Sequence, residues 1–149
     1  MATPTPETAI WLALKAHVAS LSLSPSLSVA YPNETFEPPS TNGQPDNYLA
    51  VSLFRNDPNP ATMGTTGKNR HRGILQIMLH ARKDQDFAVA SEIAGDIAEH
   101  FKLTTTGTNN GFTFRVEVPP TVGSDISLAN EQMMQIPISI RYVADANRS

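Results

Sequence analysis

The sequence predicts an α+β domain in which two helices pack on one face of a single sheet. The sheet is expected to hold four to five strands, mainly antiparallel, with mixed pairing left open. Three observations carry this. Between Ile74 and Ala81, Leu75, Ile77 and Leu79 share one face, while Ile74, Gln76, Met78 and His80 share the other. One face is then fully apolar and the other mixed, which suits a strand inside a sheet rather than at its edge. Directly afterwards Phe87, Ala90, Ile93, Ala94, Ile97 and Phe101 recur at spacings of three and four, an apolar helical stripe that needs a sheet to cover. Finally, the element order is helix, short strand, strand, strand, helix, strand, strand. Strands adjacent in sequence tend to pair as hairpins, which leaves the helices together on one side.

Each element has its own signal. Residues 1–5 form a small tail expected to be loose. Thr5-Pro6-Glu7 is a helix start: a capping hydroxyl, proline at the first helical position and an acid in the first turn. Ile10, Trp11, Leu14, Val18 and Leu21 make the stripe of that helix, which Pro25 is expected to end. Ser28 to Tyr31 is a short strand cut off by Pro32. Asn33 to Asn47 has no periodicity and reads as loop. Tyr48 to Arg55 is a strand with Leu49, Val51 and Leu53 on one face. Asn56 to Arg70 is a long polar connection, and a loop of that length is usually functional or disordered.

Ile74 to Ala81 comes next, then Asp84 and Asp86, whose charge favours the start of the second helix. Lys102 to Gly111 reads as a turn. Phe112, Phe114, Val116 and Val118 alternate with polar residues, and Pro119-Pro120 stops that strand. Met134, Ile136, Ile138, Ile140 and Tyr142 alternate within Met133 to Val143. Pro137 removes a ladder donor there, so this strand is expected at an edge or bulged. Residues 145–149 are expected to fray.

The chain has 149 residues and reads as one domain. Such a domain buries roughly 70% of the surface its unfolded chain exposes, enough for one core. Charged residues are only 17% and there are 12 prolines, which leaves a large uncharged polar loop surface of the kind that often meets another protein. The net charge of −3 argues against a nucleic-acid binder. There is no cysteine, which excludes disulfides, thiol nucleophiles and Cys-type zinc sites. No apolar run approaches the ~20 residues of a membrane span, and the N-terminus lacks a signal-peptide pattern. A soluble cytosolic protein is the expectation.

Candidate chemistry is sparse. Gly64-Thr-Thr-Gly67-Lys68 approaches a phosphate loop, but that motif would need glycine at Thr62 and Ser or Thr at Asn69, with a helix rather than a strand after it. The four histidines, His17, His71, His80 and His100, have no metal-ligand spacing, and no nucleophile-elbow pattern occurs. No catalytic, cofactor-binding or metal-binding residue is assigned, and an enzyme is poorly supported. Two clusters remain. Lys68, Arg70, His71 and Arg72 are dense for so lightly charged a chain, and Met63 is an apolar residue in the polar loop before them. Glu92, Asp96 and Glu99 share one helix face, where like charges are mildly unfavourable. Met63, Lys68, Arg70, Arg72, Glu92, Asp96 and Glu99 are therefore the candidate contact residues, and the basic cluster of one copy is expected to meet the acidic face of a neighbour.

The arrangement resembles the tail terminator, or tail completion, proteins of long-tailed bacteriophages. The resemblance rests on Ala9-Ile-Trp-Leu-Ala-Leu-Lys15, Val29-Ala-Tyr-Pro-Asn33, Tyr48-Leu-Ala-Val-Ser-Leu53, Arg72-Gly-Ile-Leu-Gln-Ile77, the helix Ala90 to Phe101, and Ile136-Pro-Ile-Ser-Ile140. It implies a virion subunit, assembled in the host cytoplasm, that forms a hexameric ring at the head-proximal end of the tail. That ring would stop polymerisation of the tube and present a surface to the head–tail connector. The implied partners are other copies of the chain, the major tail tube protein and the connector. DNA would pass through the ring without sequence-specific contact, and no membrane, cofactor or reaction is implied. The alternatives are another head–tail joining or tail-tube protein and, from a different class, a small cytosolic enzyme or ligand-binding domain with a pocket lined by His80 and Gln76.

Overall fold

The computed structural model describes residues 5–21, 27–37, 40–41, 44–56, 59–60, 68–82, 87–109, 111–124, 126–127 and 133–147. Along the chain run α1 (Pro6–Ala19), β1 (Ser28–Ala30), β2 (Ser40–Thr41), β3 (Gln44–Pro45), β4 (Tyr48–Arg55), β5 (Asn59–Pro60) and β6 (Lys68–Arg82). After them come α2 (Phe87–His100), β7 (Thr106–Asn109), β8 (Phe112–Val116), β9 (Thr121–Val122), β10 (Ile126–Ser127) and β11 (Met133–Asn147).

The fold is α+β with two helices, as the periodicity predicts, but the sheet is larger than expected and is mixed. It has nine strands, six of them on the path β1-β4-β6-β11-β8-β7, and β1 pairs with β4 in parallel. The excess has a simple origin. The short strands β5, β7, β9 and β10 occur in polar or turn-rich stretches and join through backbone pairing, which apolar periodicity does not report. A parallel pair needs a long crossover, and residues 31–47 provide one. Within that stretch, read as irregular from sequence, β2 and β3 form a small antiparallel pair.

The helices start and stop through identifiable groups. Thr5 has an extended backbone, and its hydroxyl accepts the Thr8 N–H at 3.4 Å, with Pro6 in the first turn. The helix stops earlier than Pro25 would require. Ser20 caps it: the Ser20 N–H reaches the carbonyls of Ala16 and His17, and its Oγ donates to the His17 carbonyl at 2.6 Å. Pro25 lies outside the described residues, as do Asp84 and Asp86 before α2.

β6 and β11 pair antiparallel in one register from Arg82↔Met133 to Lys68↔Asn147, well beyond the limits that side-chain alternation alone marks. Leu75, Ile77, Leu79, Ile138 and Ile140 are fully buried on one face of this ribbon, where Leu14 of α1 and Ile97 of α2 join the same core. β11 is neither an edge strand nor bulged, contrary to the expectation from Pro137. The carbonyl of Pro137 accepts from Gly123 N–H at 2.8 Å, on the side away from β6. The N and C=O of one antiparallel residue point the same way. The missing donor of Pro137 therefore faces the gap between β9 and β10, and the β6 ladder loses nothing.

A second fit holds the ribbon. Tyr142 pairs with Gly73 across the ladder, and its side chain lies over the glycine. A Cβ on residue 73 would stand 2.6 Å from the Tyr142 hydroxyl oxygen and 2.5 Å from the Phe54 carbonyl oxygen. Gly73→Ala is expected to cost about 1–3 kcal/mol through overpacking, read as a lowered urea midpoint. Gly95→Ala is the contrast. A Cβ there meets nothing within 4 Å on the exposed side of α2, so the greater helix propensity of alanine should raise stability by up to about 1 kcal/mol.

Candidate functional site

Both helices cover the same side of the sheet, so the alternate residues of its three central strands have no layer above them. Every described side chain on that open face of β4 and of the 74–80 and 133–141 segments is exposed or intermediate in burial, whereas the covered set between them is almost wholly buried. The register arranges the open face in rows. Tyr48, His80 and Gln135 make the first, then Ala50, Met78 and Pro137, then Ser52, Gln76 and Ser139, then Phe54, Ile74 and Arg141. The first row carries an aromatic stack: the Tyr48 and His80 rings lie 4.4 Å apart and nearly parallel, and Phe36 tilts against Tyr48 at 5.3 Å. Burial depresses the pKa of His80 below its ordinary value, which keeps its ring neutral at neutral pH. In the fourth row Phe54 is 54% exposed.

Beyond that row the face becomes basic. Val143 of β11 sits between Arg72 of β6 and Arg115 of β8. Arg72 Nε donates to Glu117 at 3.2 Å. β6 and β8 flank β11 on opposite sides, so this ion pair reaches over β11 and helps shield Val143, which is 1% exposed although it is on the uncovered face. At the surface such a pair is worth about 0–1 kcal/mol. Arg115 and Arg141 are exposed, and among the described residues neither has an ion-pair partner.

The sequence-derived candidates divide between two sides of the molecule. Alternation places Arg70 and Arg72 on the open face. Lys68 pairs with Asn147 through its backbone, and Met63 and the 64–67 loop lie outside the described residues. Glu92, Asp96 and Glu99 are exposed on the outer face of α2, opposite the buried Ala90, Ile93, Ala94 and Ile97. Basic cluster and acidic stripe are thus on opposite layers of one subunit. Sequence reading missed Arg115, Arg141 and Phe54; the β6–β11–β8 register joins the two arginines to Arg72, and the β4–β6 register adds Phe54.

Histidines that looked scattered are in part paired. His17 and His100, near the C-terminal ends of α1 and α2, stack with ring centroids 4.2 Å apart. The Nε2 of each lies 2.8 Å from the other's backbone carbonyl, so each ring N–H donates to the partner helix end. Desolvation by burial lowers the pKa of His17; its hydrogen bond to the His100 carbonyl opposes this, and the neighbouring charge of His100 adds to it. Among the described residues no group of three potential ligands converges on a metal site. His80 and Gln76, the residues a ligand pocket would have used, lie on the open sheet face. Two small cavities of about 120 and 230 Å³ lie elsewhere, one beside Glu7, Arg55, His71 and Tyr142 and one beside Val18, Leu27 and Leu49. Both fall below the roughly 300–1,000 Å³ usual for ligand sites.

A family model described as phage tail terminator protein matches residues 9–142. The chain belongs to this family. Its members are structural proteins of the phage tail, which is not an enzyme class, so the chain is placed among virion tail components. No curated protein matches the chain. A solved structure described only by a sequence identifier shares the fold, with a TM-score of 0.70 and 19% identity over 91% of this chain and 92% of that one. The described geometry leaves two contrasting surfaces: a half-apolar sheet face with a basic corner and, on the opposite layer, an acidic helix.

Burial of His17 and His80 makes stability depend on pH. His17 and His80 both have folded-state values below the ordinary 6.5, so the unfolded chain binds protons first. Stability is full above about 6.5 and falls as pH drops through it towards the folded-state values. Thermal unfolding from about one unit above to about one unit below that point should show a falling midpoint. The double variant His17→Gln, His80→Gln should flatten the trend.

Proposed function

We propose that the protein closes into a hexameric ring on the head-proximal end of the tail tube, stops further addition of tube subunits, and provides the seat for the head–tail connector. Its partners in this reading are further copies of itself, the major tail tube protein and the connector, and DNA crosses the ring without base-specific contact. The observation that carries the reading, beside family membership, is the uncovered sheet face. One side of the sheet is sealed by two helices, while the other leaves Tyr48, Met78, Ile74 and Phe54 partly in water. Large apolar side chains left partly in water on one uncovered face suit an interaction surface, and a subunit with different surfaces on its two sides joins head to tail. Such contacts close into a ring when the rotation per subunit fits. The function then needs shape and adhesion, with no reaction.

Disrupting the gene in the virus or prophage that encodes it tests this. Electron microscopy is expected to show tails of uncontrolled excess length and unattached heads. Tails of normal length joined to heads would overturn the proposal, and filaments grown from the purified chain would assign it to the tube instead.

A further inference from the structure

We propose that the basic corner of the open sheet face, Arg115 and Arg141 with Arg72, is the docking site for the acidic outer face of α2 of a second copy of this chain. This rests on the ring reading for its biological setting, and on the charge pattern for its choice of occupant. Within one subunit the two surfaces lie on opposite layers and cannot meet. Glu92, Asp96 and Glu99 are exposed and have no ion-pair partner among the described residues, and the same holds for Arg115 and Arg141. Glu117, an acid beside the basic corner, is already engaged by Arg72.

The dimensions agree. Glu92 to Glu99 spans about 10 Å along a helix. Arg72 and Arg115 are two strands apart, again about 10 Å, with Arg141 between their strands and two residues along. Apolar groups complete the match. Val89, one turn before Glu92, is 44% exposed, and Phe54 in the row of Arg141 is 54% exposed. A chain of net charge −3 repels its own copies unless opposite charges are brought together, and this contact brings them together. The residue that carries it best is Arg141, and Arg72 serves through its stem and its hold on Glu117.

A charge exchange tests the contact. One variant carries Glu92→Arg, Asp96→Arg and Glu99→Arg; the other carries Arg115→Glu and Arg141→Glu. All the changed residues are exposed, and circular dichroism confirms that each variant is folded. Sedimentation velocity is then run on the natural chain, each variant and their equimolar mixture, up to several hundred micromolar. The natural chain is expected to associate, at least about tenfold more weakly in about 300 mM than in about 50 mM NaCl. Each variant alone should be monomeric, and the mixture should associate, because each variant's helix now complements the other's sheet. A natural chain that stays monomeric, a single variant that associates like the natural chain, or a mixture that stays monomeric overturns the docking. Particles from the gene disruption judge the ring reading separately: long tails there with a failed charge exchange remove this contact and leave the terminator function standing.

Discussion

The antiparallel ladder between β6 and β11 is the constraint on which the rest depends. Its register runs unbroken from Arg82↔Met133 to Lys68↔Asn147. Side chains alternate along it, so a slip of one residue by β11 would turn Ile138 and Ile140 out to water and bury Ser139 and Arg141, and a slip by β6 would turn out Leu75 and Ile77 and bury Gln76. The core permits only one register, and the other details follow from it. Tyr142 faces Gly73, the one residue whose missing Cβ leaves room for the ring. Glu117 reaches Arg72 over Val143. Pro137 falls where its absent donor faces a gap. The helices seal the apolar side, and their ends are tied by two imidazoles that each donate a hydrogen bond to a carbonyl in the other helix's last turn.

Much of this was legible in the sequence because apolar period reports burial. The two helices, the four longer strands and most of the set facing the core came from spacings of two or of three and four, though Val118, on the same alternation, lies past the end of β8 and is exposed, and α1 began at the capping threonine that the sequence marked. What period could not report was pairing. The short strands have too few side chains to show alternation, so the sheet came out larger and mixed. The partners of β11 were hidden for the same reason: Pro137 reads as an edge signal when the direction of its nitrogen is unknown. Ser20 capped α1 before the proline that seemed to end it, since a side-chain cap acts locally and competes with no later signal.

The candidate contact surface was half legible. Composition showed a low-charge chain with a basic cluster and an acidic helix face, and both lie on the surface. Their placement on opposite layers depends on which strand faces of β6, β8 and β11 coincide, and no local window contains that. Arg115 and Arg141 sat in ordinary alternating strands and drew no attention as polar positions of half-buried elements. They acquire meaning only beside Arg72, from residues more than forty positions away. The His17–His100 pair was invisible for the same reason, its partners being 83 residues apart.

The division of the subunit into a sealed side and an open side explains why the surface is built as it is. A sheet face rich in large apolar residues would bind strongly but without choice, and would expose the free chain to aggregation. Here the rows mix Ala50, Ser52, Gln76 and Ser139 with Phe54, Ile74 and Met78, which dilutes the apolar area. Exposed ion pairs add little stability, about 0–1 kcal/mol each, so Arg115 and Arg141 are poor glue. Their value is in direction. Like charges brought face to face are costly and opposite ones steer encounter, so a basic sheet corner and an acidic helix exclude sheet-to-sheet and helix-to-helix pairing between copies. If copies dock as proposed, what they leave is the head-to-tail contact, the kind that closes into a ring when the rotation per subunit fits.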